Sequence, residues 1–306
     1  MQKEKRNMSP LMREQKNSFV GYCNVELVDN YSGVKFPMSV MYPTYEVGRR
    51  EELGQFSLDV SINAKPKDGK FPLILISHGS GGSHLLYRTL AHHLACNGFI
   101  IGMPEHPFNN RNNNTLEGTV ENLENRPSHI HTAIDWFFES EKFARFLKAD
   151  SISMIGHSMG GYTSLAVAGG IATSFPNESL DGKPKQINVE HDRKIKSLVL
   201  LAPATVWFKD KGALSGVDIP ILMIAGEKDQ YTPPFHAQIV LEGVADNSKI
   251  KYKIIENAGH FSFLSPFPQS MIKPEFIPSQ DPFGFDREKF HNELNIEILD
   301  FLMQVK

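Results

Sequence analysis

A serine between two glycines is the strongest chemical signal in the chain. The pentapeptide at 156–160 reads GHSMG, and it follows the strand-like run SISMI and precedes a segment rich in small residues. In a nucleophile elbow the serine occupies a strained strand-to-helix turn, and the flanking glycines leave room for the neighbouring strand and helix. This context predicts that Ser158 is a nucleophile; the alternative is a serine that caps a helix.

Two further side chains follow apolar runs later in the chain. Asp229 comes soon after the run at 219–225, and His260 comes soon after the run at 250–256. A serine hydroxyl needs a base to take its proton, and that base needs an acid to fix its tautomer. The order serine, acid, histidine therefore predicts His260 as the base and Asp229 as the acid.

Neighbouring residues leave alternatives for both roles. Glu227 follows the same run as Asp229 but lies nearer its turn, and His236 falls in the helix that follows. Asp229 is also placed as a turn or cap residue would be, before two prolines. His260 has the alternative of an ordinary loop histidine.

A glycine-rich loop with the sequence SHGSGG occupies 77–82, directly after the apolar run at 71–77. Acyl transfer develops an oxyanion that two fixed backbone N–H groups stabilise by several kcal/mol. We predict that the amides of Ser80 and Met159 are these donors. A dinucleotide site is disfavoured, because position 84 is histidine where the GxGxxG spacing requires glycine.

The composition excludes several other classes of site. The net charge of −3 and the absence of long basic runs argue against nucleic acid as a partner. A small-molecule ester is the expected partner, because the predicted nucleophile, base and acid would act on its carbonyl group. No metal or cofactor is expected, because the histidines at 92–93, 129 and 131 lack a ligand set and are predicted on helix surfaces. The two cysteines lack CxxC spacing, which favours a reducing compartment.

The first residues are not expected to form a targeting signal. The segment 1–17 is polar and charged, lacks the apolar core of a leader, and is predicted to be disordered or frayed. No later stretch reaches the roughly 18 apolar residues of a membrane span. A cytoplasmic protein of undetermined oligomeric state is the resulting expectation.

Apolar runs of strand length alternate with helical patterns, which is typical of a mostly parallel sheet. We predict one catalytic domain over 18–306, with an eight-stranded sheet flanked by helices and with loop insertions at 107–127 and 262–284. The predicted strands are 19–28, 36–42, 71–77, 98–103, 150–156, 195–202, 219–225 and 250–256. The predicted helices are 83–96, 128–147, 159–172, 233–244 and 287–304.

The segment after His260 suggests a substrate pocket. Phe263 and Phe267 lie in it, and His157 neighbours the nucleophile, so these three side chains are predicted to line the pocket. For the aromatic residues, ordinary packing in the core is an equally good interpretation.

These motifs together resemble a known group. The stretch LILISHGSGGSHLLYRTLAHHLACNGFIIGMPEHP, with GHSMGG, GEKDQYTPP and AGHFSFL after it, is similar to the branch of the α/β-hydrolase superfamily that includes platelet-activating-factor acetylhydrolase-like and predicted dienelactone hydrolase-like serine esterases. The resemblance implies an α/β-hydrolase fold with Ser158, Asp229 and His260 as the triad and Ser80 and Met159 at the oxyanion hole. Dienelactone hydrolases themselves use a cysteine nucleophile, which this elbow lacks.

The expected activity is hydrolysis of carboxylic esters through an acyl-enzyme intermediate. Lactones, including natural-product macrolactones, belong to the same class of acyl donor. An amidase or peptidase on the same triad, and a non-catalytic binding protein on this fold, are the alternatives.

Overall fold

The computed structural model describes residues 19–305, and the segment predicted to be frayed, 1–17, lies outside the described residues. The strands are β1 Phe19–Val28, β2 Lys35–Thr44, β3 Arg49–Leu53, β4 Phe56–Ile62, β5 Phe71–Ser77, β6 Ile100–Pro104, β7 Leu147–His157, β8 Ala172–Thr173, β9 Gln186–Ile187, β10 Ile195–Leu201, β11 Ile221–Gly226 and β12 Ile250–Ile255. Ten of these strands form one sheet in the order β12-β11-β10-β7-β5-β6-β2-β1-β4-β3, and β8 and β9 form a separate two-stranded sheet.

The six strands from β12 to β6 run parallel, and β2 and β1 continue the sheet in antiparallel register. The mostly parallel α/β class is therefore confirmed. The predicted number of eight strands is wrong for this sheet, since β3 and β4 form an additional hairpin at its edge. The β3 sequence RREEL is nearly all charged, so it lacks the apolar alternation by which a strand is identified.

Five α-helices within residues 19–305 cover the sheet: α1 Arg88–Cys96, α2 Val120–Glu139, α3 Met159–Val167, α4 Phe235–Gly243 and α5 Arg287–Gln304. Helix α2 begins eight residues before the predicted start at 128, so the loop predicted at 107–127 ends at Thr119. The Thr119 side chain caps the helix by accepting from the amide of Asn122 at 3.2 Å. Pro127 lies inside the helix, and because of this proline the sequence predicted a helix start after it, at 128.

Two hydrophobic clusters lie on the two faces of the sheet. Helices α2, α3 and α4 contribute to one cluster, and α1 and α5 contribute to the other. Within β5, Leu73 and Leu75 belong to the first cluster, whereas Ile74 and Ile76 belong to the second. Alternate side chains of one strand thus fill both cores, because successive residues of a strand point to opposite faces.

The parallel order brings the carboxyl ends of β5, β7, β11 and β12 to one edge of the sheet. The loops that follow these strands hold the predicted site residues. No helix within residues 19–305 is both long enough and apolar enough to cross a membrane.

Candidate active site

Ser158 has the backbone strain expected of a nucleophile elbow. It joins β7 to α3 with φ of 54° and ψ of −119°, a region that non-glycine residues rarely adopt. A Cβ on Gly156 would lie 2.2 Å from the carbonyl oxygen of Gly160, and a Cβ on Gly160 would lie 1.9 Å from that of Ser77. The two glycines are therefore required for the turn to pack against β5 and α3.

Asp229 and His260 lie side by side beyond the ends of β11 and β12. Nδ1 of His260 and Oδ2 of Asp229 are 2.8 Å apart, and both side chains are buried. Because an ionised carboxylate can only accept, Nδ1 carries the hydrogen, and in the neutral form of the ring Nε2 is the atom with a free lone pair. The imidazole is therefore in the tautomer that can take a proton.

The Asp229 carboxylate is held by several donors. Oδ1 accepts from the amides of Tyr231 and Thr232, each at 2.8 Å, and Oδ2 also accepts from the Thr232 hydroxyl at 2.7 Å. Burial alone would raise the pKa of Asp229, but the hydrogen bonds from His260 and Thr232 outweigh burial and lower that pKa to about 2. The group is an anion throughout the neutral range.

His157 links the elbow to His260. Its Nε2 donates to the carbonyl oxygen of His260 at 2.9 Å, and the two ring centroids are 4.8 Å apart. Since His157 precedes Ser158 in the chain, this contact places the His260 ring beside the elbow. Among residues 19–305, the Ser158 hydroxyl itself forms no hydrogen bond, so the bond between Ser158 and Nε2 of His260 is not formed in this structure.

His157 is a supporting residue of this site. The Tyr87 hydroxyl donates to its Nδ1 at 2.9 Å, which fixes the tautomer that reaches His260. Burial, with a smaller contribution from the neighbouring His260, lowers the pKa of His157 to about 3, so the ring is neutral. Only 2% of it is exposed, so the predicted role of His157 in lining a pocket is not favoured.

The two predicted oxyanion donors flank the serine. A Cβ on Gly79 would lie 3.1 Å from the Cβ of Ser158, which shows how closely the loop 77–82 approaches the elbow. Met159 is the first residue of α3, where backbone N–H groups have no partner within the helix. The Ser80 amide likewise donates to no backbone or side-chain acceptor in the described part of the chain.

The alternatives for acid and base lie elsewhere. Glu227 is on the surface, where it accepts from the amide of Asn257 at 3.0 Å, and His236 is buried with Nδ1 accepting from the amide of Thr205 at 3.0 Å. The prediction that His129 lies on a helix surface is wrong. It is buried in α2, where its Nδ1 is 3.2 Å from that of His106.

Phe263 and Phe267 belong to the core rather than to an open cleft. Phe263 packs edge-on against Phe290 of α5 with ring centroids 5.7 Å apart, and Phe267 packs against Phe276 at 5.3 Å. The interpretation as core aromatics is thus favoured over a pocket. The segment 262–284 is irregular and contains short 3-10 segments.

Three residues near the site were not identified from the sequence. Thr232 holds Asp229, Tyr87 holds His157, and the ring of Tyr231, which is 61% exposed, lies 5.0 Å from that of His260. The only signal for Tyr231 and Thr232 was their position directly after Asp229. Nothing local marks Tyr87, since its partner is 70 residues away.

No group of three or more histidine, cysteine or acidic side chains among the described residues is arranged to hold a metal ion. The groups gathered at this edge of the sheet are a strained serine, an imidazole fixed by a carboxylate, and two free amides. Such a set can carry out nucleophilic acyl transfer.

Comparison with known proteins agrees with this chemistry. Residues 40–116, which include the loop 77–82, match the family model of platelet-activating factor acetylhydrolase, isoform II. The fold is similar to that of a ferulic acid esterase from Streptomyces cinnamoneus, with a TM-score of 0.70, 13% sequence identity, and coverage of 95% of this chain and 90% of that chain. This confirms the α/β-hydrolase fold. The family match and the fold together support an esterase-type hydrolase of the α/β-hydrolase superfamily.

Proposed function

We propose that the protein is a serine esterase in which Ser158 attacks the ester carbonyl, His260 is the general base and Asp229 orients the base. The observation that carries the proposal is the 2.8 Å hydrogen bond between Asp229 and His260 beside a serine held at positive φ. The three groups come from separate strand ends, and each has the environment that its role needs.

In the acylation step, Nε2 of His260 takes the hydroxyl proton as Oγ of Ser158 bonds to the carbonyl carbon. The negative charge that develops on the carbonyl oxygen is stabilised by the amides of Ser80 and Met159. Collapse of this intermediate breaks the bond to the alkoxy oxygen, which leaves with the proton from His260.

Deacylation repeats the same sequence with water. His260 takes a proton from the water molecule as its oxygen attacks the acyl-enzyme, and returns the proton to Oγ of Ser158 when the acid departs. Asp229 stays ionised in both steps and stabilises the imidazolium each time it forms. The chemistry needs no group beyond those of the chain and water.

The aromatic side chains around His260 favour substrates with apolar character. The rings of Tyr231 and Phe261 are 5.2 Å apart, and each has its centroid within 5.2 Å of that of His260. Esters and lactones both present an acyl carbon that this arrangement can attack, so lactones, including macrolactones, belong to the proposed substrate range.

A fluorophosphonate probe tests the proposal directly, because it phosphonylates only an activated serine. We expect intact-mass measurement to show one adduct on the wild-type protein, mapped by peptide analysis to Ser158, and none on Ser158→Ala. The variant should keep its melting temperature and lose hydrolysis of p-nitrophenyl acetate. An unlabelled but folded wild-type protein would refute the proposal and favour a non-catalytic binding protein.

Matched ester, lactone and amide substrates with the same acyl group then define the reaction. We expect kcat/KM for the ester and the lactone to exceed that for the amide by several orders of magnitude. The opposite order, with labelling of Ser158 intact, would show an amidase or peptidase on the same triad.

A further inference from the structure

Arg126, in α2, is the largest fully buried side chain of the described residues. Its guanidinium donates to four groups on three separate segments. Nε donates to Oγ1 of Thr163 at 2.9 Å, Nη1 donates to Oδ1 of Asn109 at 2.6 Å, and Nη2 donates to Oγ of Ser77 at 3.2 Å and also to the carbonyl oxygen of His78.

All acceptors of this cation are neutral. No carboxylate of residues 19–305 forms an ion pair with Arg126, unlike Arg287, which pairs with Asp281 at 2.8 Å. Burial lowers the pKa of Arg126 to about 9, so the side chain is still a cation at neutral pH. A buried charge satisfied only by neutral groups is unfavourable for stability, which points to a role in the site.

The first connection runs to Ser80. Because Oδ1 of Asn109 faces the guanidinium, its Nδ2 must face the other way, and it donates to Oγ of Ser80 at 2.9 Å. The Ser80 hydroxyl donates in turn to Glu117 at 3.0 Å. Arg126 therefore sets the orientation of the Asn109 amide, and that amide holds the residue whose backbone N–H is the first oxyanion donor.

The second connection runs to Met159. The Thr163 hydroxyl accepts from Arg126 and donates to the carbonyl oxygen of Met159 at 3.1 Å, one turn earlier in α3. The direct bond to His78 adds a contact with the loop 77–82, two residues before Ser80. A single guanidinium thus contacts the supports of both proposed oxyanion donors.

We propose that Arg126 is a positioning residue of the oxyanion hole, which fixes the amides of Ser80 and Met159 relative to each other through Asn109, Thr163 and the His78 carbonyl. The inference rests on the proposed function, since the two amides are donors only in that reaction. The guanidinium suits this role because its planar fork reaches several acceptors in fixed directions, which the single ammonium of lysine does not. Misplacement of a reacting group by about 1 Å can lower the rate about 100-fold.

Arg126→Lys is the central variant, and Arg88→Lys is its matched control. Arg88 is also buried and donates to the carbonyl oxygens of Leu85 and Pro266, but it has no contact with the supports of the two amides. We expect Arg126→Lys to lower kcat about 100-fold with KM nearly unchanged. Arg88→Lys should leave kcat within about threefold of wild type.

Two further variants each remove one of the two hydrogen-bonded connections and leave Arg126 in place. Asn109→Ala and Thr163→Val should each lower kcat about 10-fold, and each should change kcat little when added to Arg126→Lys, because the connection is already lost. These variants decide the question even where Arg126→Lys fails to fold.

The inhibition constant of a trifluoromethyl ketone separates positioning from general destabilisation. The inhibitor forms a hemiketal with the serine, and the oxyanion of that hemiketal occupies the oxyanion hole. We expect its inhibition constant to rise across the variants in proportion to KM/kcat. Unchanged inhibition and unchanged kcat in folded variants would overturn the inference while labelling of Ser158 still upholds the esterase proposal. Absence of labelling in the wild type would instead remove the proposed function itself.

Discussion

Asp229 holds the ring of His260 through a single hydrogen bond of 2.8 Å between Oδ2 and Nδ1. The other carboxylate oxygen already accepts from two backbone amides, so the carboxylate has no freedom to rotate away from the ring. The orientation of the imidazole is therefore determined by the turn after β11, and substitutions within that turn should alter the reaction more than the fold.

Replacement of Asp229 by asparagine tests the acid directly. The introduced side chain would present an amide N–H to Nδ1 of His260 or leave that atom unpaired, which favours the tautomer that cannot accept the serine proton. In the Asp229→Asn variant, kcat should fall about 10,000-fold, as in other serine hydrolase triads. Steady-state kinetics on p-nitrophenyl acetate gives the value, and Glu227→Gln, at the surface near the same strand end, is the control. A large loss in Glu227→Gln with a mild one in Asp229→Asn would transfer the acid role to Glu227.

Thr232 offers a finer test of the same carboxylate. Thr232→Val keeps the shape but removes the hydroxyl that donates to Oδ2 at 2.7 Å, a charge-assisted bond worth about 2 kcal/mol. We expect kcat to fall roughly 10-fold, and Thr232→Ser to restore most of it because serine keeps the donor. Equal activity of the valine and serine variants would mean that the two amides hold Asp229 without the hydroxyl.

Gly160→Ala tests the packing of the elbow. The added Cβ would lie 1.9 Å from the carbonyl oxygen of Ser77, and neither backbone segment can move without displacing β5 or α3. The free energy of unfolding should fall by at least about 3 kcal/mol, as measured by urea denaturation. Gly182→Ala is the control. The added Cβ would lie in open space, so the free energy of unfolding should fall only by the cost of the positive φ, about 1 kcal/mol. Similar losses in both variants would contradict the close approach at the elbow.

The buried histidines predict how stability depends on pH. Burial lowers the pKa of His129, His236 and His291 to about 4 and that of His157 to about 3, whereas an unfolded histidine titrates near 6.5. Below pH 6.5 the unfolded chain therefore binds more protons than the folded one, so stability falls as the pH falls. Each such histidine should remove about 2 kcal/mol between pH 6.5 and pH 5.

Urea denaturation between pH 7.5 and pH 5 measures this slope. His291→Gln should reduce the slope of the free energy of unfolding against pH by about 1.4 kcal/mol per pH unit, because the variant lacks one imidazole whose pKa is lowered by burial. A slope that His291→Gln does not change would mean that His291 is protonated equally easily in the folded and unfolded states.

Local sequence patterns were sufficient for the framework. The apolar runs FPLILIS and PILMIA lack polar alternation, which predicted strands covered on both faces, and GHSMG predicted a strand-to-helix turn that the structure has at the same residues. The charged strand β3 and the start of α2 before Pro127 were missed, because neither has the periodicity on which such predictions depend.

The sequence by itself determined the parallel α/β fold and the order of the three candidate residues along the chain, because strand periodicity and turn chemistry are local properties. The tertiary structure decided which side chains hold the site residues in place. Thr232 donates to Asp229, and Tyr87 donates to His157. Arg126 donates to Asn109 and Thr163, which contact Ser80 and Met159. Most of these contacts join residues tens of positions apart, and their strength comes from burial and fixed geometry. Neither property exists until the sheet brings the strand ends together.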